Sequence, residues 1–152
     1  MSGQGVPRVY SGEIKMVREA LSLTTLAMSQ LLGVSEGTIK NWEKGKYQPP
    51  PGVEREIAGL EAWTRRCVDA VVAAAQDADG QPMVVVWRLT NDMPPGPART
   101  LGAGWWRSVA ARARERVPGL VVAYPDELDK ITGSRDMTLS RAVSPDVLPL
   151  PR

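Results

Sequence analysis

Apolar residues recur along this chain at two different spacings. Ile14, Val17 and Leu21 lie three and four apart, which predicts a first helix over 13–22 with Ser11 as its cap. Leu23, Leu26, Met28, Leu31 and Leu32 continue with roughly helical spacing and stop at Gly33. Ile39 and Trp42 mark the inward face of another short helix, which ends at Gly45. Pro49-Pro50-Pro51-Gly52 cannot continue a helix and predicts a stiff, extended linker. Beyond it, Val53, Ile57, Leu60, Trp63, Cys67, Val68, Val71, Val72 and Ala75 form one stripe of about six helical turns. The first half of that helix can close a domain formed by the preceding ones, and the second half extends past it.

After a turn signalled at 77–82 the period shortens. Residues 83–89, Met-Val-Val-Val-Trp-Arg-Leu, are β-branched and bounded by breakers, so they predict a strand. A Pro-rich loop follows over 91–97. A helix over 104–117 carries Trp105, Trp106, Val109, Ala110 and Ala113 on one side and Arg107, Arg112, Arg114 and Arg116 mostly on others. Residues 120–124 can form a second strand. From about Lys130 no period is sustained, which predicts a flexible tail. These spacings therefore predict a mainly α domain of four to five helices, with a helix-turn-helix arrangement, followed by a small α/β domain. The boundaries predicted are a loose N-terminus over 1–10, the helical domain over 11–63, the α/β domain over 64–128 and a tail over 129–152.

The local chemistry of 24–45 sharpens this picture. Thr24 can cap the second helix by accepting from a first-turn N–H, and Ser35 can cap the third in the same way. Gly33 between them can take the left-handed conformation that ends a helix. Val34 can pack in the corner between two crossing helices. The run Leu31-Leu32-Gly33-Val34-Ser35, then Thr38-Ile39, then Trp42-Glu43-Lys44-Gly45, resembles the Cro/cI-type (XRE) helix-turn-helix family. Two positions depart from that pattern. Thr25 stands where the family often has a phosphate-touching Gln, and Ser29 stands where it usually has Ala. The C-terminal half, through Pro51-Gly52-Val53-Glu54-Arg55-Glu56-Ile57 and Trp106-Arg107-Ser108-Val109-Ala110-Ala111, looks like the YdiL-like proteins, including anti-CRISPR-associated repressors. That resemblance implies a DNA-binding module joined to a dimerisation domain.

The helix-turn-helix resemblance implies roles for individual residues. Residues opening the second helix of the motif meet base edges, and the matching positions here are Glu36, Gly37, Thr38 and Asn41. Asn41 can pair bidentately with adenine, Glu36 can accept from cytosine N4, and Thr38 can touch a thymine methyl group. Gly37 reads nothing directly. Thr25, Ser35, Lys40, Lys44, Lys46 and Tyr47 fall to the DNA backbone, where contacts set affinity and register rather than sequence. Glu43 would repel phosphate and suits an internal contact between helices. Val68, Val71, Val72, Val85, Trp87, Trp105, Trp106 and Val109 are the candidates for a dimer interface. The tryptophans have two other readings, as core or as the wall of an effector pocket. The arginines of 107–116 are either a solvated helix face or a second nucleic-acid surface.

Composition removes several classes. There is no histidine, which excludes a Ser-His-Asp triad and any His-bearing zinc site. The one cysteine, Cys67, excludes a disulfide framework and reads as a buried thiol or a redox sensor. The net charge of +2 leaves DNA binding open, because a local basic patch decides it rather than the total. No catalytic constellation, phosphate-cradling loop, cofactor motif or apolar run of about 20 residues appears. The expectation is a non-enzymatic, cofactor-free, cytoplasmic and nucleoid-associated regulator. It binds double-stranded operator DNA as a homodimer and makes no membrane contact. The alternative is an antitoxin-type module whose C-terminal half binds a partner protein.

Overall fold

The computed structural model describes residues 9–132 and 141–151. Seven α-helices and a small parallel sheet are found among them. They fall into two compact units, Met1–Trp63 and Thr64–Arg152.

The first unit contains α1 (Ser11–Ala20), α2 (Thr25–Leu32), α3 (Glu36–Glu43) and the first turns of α4 (Val53–Gln76). Its core is the apolar set that the helical spacing picks out: Ile14, Val17, Leu21, Leu23, Met28, Ile39, Trp42, Val53 and Ile57 are all buried. The first helix begins two residues earlier than predicted. Tyr10 occupies its N-cap position, with no side-chain cap, and Ser11 is already helical. At α2 the predicted cap is present: Thr24 Oγ1 accepts from the Ala27 N–H at 3.0 Å. Gly33 ends that helix at φ +69°, and the Val34 N–H turns back to the Ser29 carbonyl at 2.9 Å. Ser29 is buried and donates its hydroxyl proton to the Leu26 carbonyl at 2.7 Å. A hydroxyl where the XRE pattern has a methyl group is therefore satisfied inside its own helix.

The second unit contains the rest of α4, β1 (Met83–Val85), α5 (Pro97–Leu101), α6 (Ala103–Arg116), β2 (Val121–Ala123) and α7 (Pro125–Thr132). β1 and β2 run parallel, with Met83 opposite Val121 and Val85 opposite Ala123. The other side of β1 is also occupied. Val143 bridges Val84 in parallel, donating to the Met83 carbonyl at 2.8 Å and accepting from the Val85 N–H at 3.0 Å. β1 is thus a central strand, and its continuous burial explains its unbroken apolar run.

The structure corrects four predictions in this half. The strand predicted over 83–89 ends at Val85. Val86 still donates to Ala123, but the Trp87 carbonyl is taken by Arg107 and leaves the ladder. The loop predicted over 91–97 contains a 3-10 turn at Thr90–Asp92, and α5 starts at Pro97. Proline is compatible with a first helical position, and five residues are too few to show a period. The tail predicted over 129–152 is partly ordered structure. α7 runs through its start, and Ala142 and Val143 are buried, although residues 133–140 of that call lie outside the described residues. Of the loose N-terminus predicted over 1–10, residues 1–8 also lie outside the described residues, and Val9 is buried.

The fourth correction concerns the dimer interface. Val68, Val71, Val72, Val85, Trp105, Trp106 and Val109 are buried within a single chain, and only Trp87 is half-buried. They are the core of the second unit rather than a surface awaiting a copy. The later turns of α4 are joined to α6 of the same chain by two polar contacts. Trp105 Nε1 donates to Thr64 Oγ1 at 3.2 Å, and Arg116 pairs with Asp69 at 2.6 Å. Trp106 Nε1 donates to the Val85 carbonyl at 2.7 Å. In a chain without phenylalanine, tryptophan supplies the bulk of this core, and each buried indole N–H has an acceptor.

Candidate nucleic-acid interface

α2, the turn at Gly33 and α3 form a helix-turn-helix whose second helix is fixed at its start, its middle and its end. At the start, Ser35 Oγ accepts from the Thr38 N–H at 3.1 Å and lies 2.9 Å from Thr38 Oγ1. At the middle, Ile39 and Trp42 are buried, so one face of α3 is held in the core. At the end, Glu43 receives a two-pronged ion pair from Arg18 of α1, with Nε to Oε2 at 2.7 Å and Nη2 to Oε1 at 2.9 Å. Arg18 also donates to the Leu23 carbonyl at 3.2 Å, so one guanidinium ties α1, the α1–α2 turn and α3 together. The hydrogen bond that Arg18 donates to Glu43 holds the Arg18 pKa above its ordinary value, against the opposing effect of burial. Glu43 is thus an internal contact between helices, as its sign predicts. Arg18 is absent from the sequence prediction. It lies 25 residues from its partner, beyond any helical spacing rule.

The predicted recognition residues lie on the remaining faces of α3. Glu36, Thr38 and Asn41 are half-buried, while Gly37 and Lys40 are exposed. Glu36 is not a free carboxylate: Thr25 Oγ1 donates to its Oε2 at 2.6 Å. The first residue of α2 thereby holds the first residue of α3. Thr25, predicted on phosphate, directs its hydroxyl proton to Glu36, and Ser35 uses its oxygen as a helix cap. Lys44, Lys46 and Tyr47 follow on the exposed exit loop, where Lys46 Nζ lies 5.5 Å from the centre of the Tyr47 ring.

Gly37 has no structural requirement in this geometry. A Cβ there would meet only Ser35 Oγ, at an ordinary 3.7 Å, and its backbone is plain helix. Glycine inside a helix costs roughly 1 kcal/mol relative to alanine, and nothing among the described residues of the unit offsets that cost.

Residues 14–58 match the helix-turn-helix family model. No curated protein matches the chain. The matched span covers most of α1, all of α2 and α3, and the opening of α4, and it supports the likeness to the XRE-type motif. The N-terminal unit is thus similar to the helix-turn-helix domains of DNA-binding regulators, and the match suggests that broad class.

The second unit bears on two further sequence readings. Cys67 is fully buried, and burial pushes its thiol up to about 12, with only a small opposing effect from Arg66. A thiol that stays protonated at neutral pH and is closed to solvent is an inert core group, not a redox sensor. No described helix is long and apolar enough to cross a membrane.

Proposed function

We propose that this protein is a homodimeric transcriptional repressor that binds an inverted-repeat operator, including one upstream of its own gene. The observation that carries the reading is the fixed start of α3. Ser35 caps the helix, Thr25 orients Glu36, and the polar residues Thr38 and Asn41 stand beside a glycine that the fold does not need. A helix presented this way suits the major groove. Asn41 pairs with adenine, Glu36 accepts from cytosine N4 with the oxygen that Thr25 leaves open, and Thr38 meets a thymine methyl group. The missing side chain at Gly37 lets the helix backbone approach the groove floor. Lys40, Lys44, Lys46 and Tyr47 hold the flanking phosphates, which set register and affinity.

One such helix covers too few base pairs to find a site in a genome. Two copies presenting their helices ~34 Å apart read an inverted repeat and occlude a promoter sterically. The test is footprinting of the purified protein on its own upstream DNA and on a scrambled duplex, at low and moderate salt. A footprint over an inverted repeat at moderate salt is the expected result. Asn41→Ala should weaken operator binding about 5- to 150-fold, the range for one lost bidentate base contact, and leave the scrambled duplex unaffected. Equal loss on both DNAs would remove Asn41 from base reading. Binding that ignores sequence and disappears with salt would overturn the repressor assignment and favour a protein partner.

A further inference from the structure

In open parallel sheets, ligands bind outside the carboxyl ends of the strands, and the second unit has a cavity there. It measures about 470 Å³ and is lined by Trp87 and Arg88, which follow β1, by Asp92 just beyond them, and by Pro125, Asp126 and Asp129 of α7, which follows β2. The volume is that of a small-molecule site. Three carboxylates face one guanidinium, so the lining carries net negative charge.

That guanidinium also demonstrates the local chemistry. Arg88 lies with its guanidinium carbon 3.9 Å from the centre of the Tyr124 ring, and it donates to both oxygens of Asp126 at 2.7 and 3.2 Å. An aromatic face and a carboxylate thus already hold a planar cation, with Arg88 and Asp126 in the cavity lining and Tyr124 next to Pro125 of that lining. Both members of the pair are more than half exposed, so the arrangement is open to exchange with a competing cation from solvent. Trp87 is half-buried, and Asp92 is exposed and makes no ion pair among the described residues. Those two side chains offer a second aromatic face and a second carboxylate on the same lining.

We infer that this cavity is a binding site for a small organic cation bearing a guanidinium or amine group. The ligand's cationic head replaces Arg88 on Tyr124 and Asp126, and its second polar end meets Asp92 beside Trp87. At the start of α7 the Glu127 carboxylate accepts from the Tyr124 N–H at 3.1 Å, which adds a negative charge beside the cavity.

The test is calorimetric titration of the full chain with agmatine, which carries a guanidinium and an amine. Saturable one-to-one binding is expected. Asp92→Asn, at an exposed position that leaves the fold intact, should weaken it roughly tenfold, the effect of losing one charge-assisted hydrogen bond. Trp87→Leu should weaken it as well. Arg88→Gln should tighten it several-fold, because the variant removes the cation that agmatine displaces. Three results would overturn the inference: no saturable binding by either the parent chain or Arg88→Gln, binding indifferent to Asp92→Asn, or equal competition by magnesium chloride at matched ionic strength. The titration contains no DNA, so its failure would leave the repressor reading untouched.

Discussion

At the scale of single residues, the placement of α3 depends on the Arg18–Glu43 pair. The two side chains are only 17% and 10% exposed, so their attraction is little screened. Removing one partner leaves the other charge in a place built for a pair. Glu43→Ala is therefore expected to cost about 3 kcal/mol of stability, measured as a fall in the urea midpoint without a change in slope. A loss below about 0.5 kcal/mol would mean the pair behaves as an ordinary surface bridge. The caps at Thr24 and Ser35 and the turn at Gly33 were legible in the sequence because each acts within five residues of itself. Arg18 and the Thr25–Glu36 bond were not, because each joins different helices at a separation no local pattern records.

At the scale of elements, legibility followed the length of the periodic signal. α4 was readable because its helix runs for 24 residues, and α3 because the Ser35 cap and two buried residues mark it. α7 escaped because it has one deeply buried apolar anchor, Leu128. The pairing of Val143 escaped because a single bridge carries no alternation. That bridge is nonetheless a structural member of the sheet. Val143→Pro would delete the N–H that bonds the buried Met83 carbonyl, at a cost of roughly 1–3 kcal/mol. Hydrogen exchange at the Val85 amide, whose acceptor is the Val143 carbonyl, should accelerate in the same variant. Unchanged protection at Val85 would show that β1 does not depend on that neighbour.

At the scale of the whole molecule, a net charge of +2 makes DNA affinity a matter of local cations. If Lys46 holds a phosphate, Lys46→Gln should weaken operator and scrambled DNA alike and lower the slope of log affinity against log salt by about 1. Asn41→Ala should lower operator affinity with that slope intact. Fluorescence anisotropy across a salt series distinguishes the two, and an unchanged slope in Lys46→Gln would take that lysine off the backbone. The helix-turn-helix half was largely legible, since its spacing is set by short-range rules. The second half was legible only in outline. Its tryptophans and valines announce burial, but not that the partner surface is the chain itself rather than a copy.

The double-sided pairing of β1 also has a consequence for synthesis. Val85 leaves the ribosome 58 residues ahead of Val143, which at translation speeds of about 5–20 residues per second is a wait of roughly 3–12 s. Both edges of this valine-rich strand are open until β2 is made, and one stays open until Val143 arrives, which leaves an adhesive edge on the nascent chain. Yield in a host should therefore respond to elongation rate over the codons for residues 86–143, and slow codons placed there would lengthen the exposure.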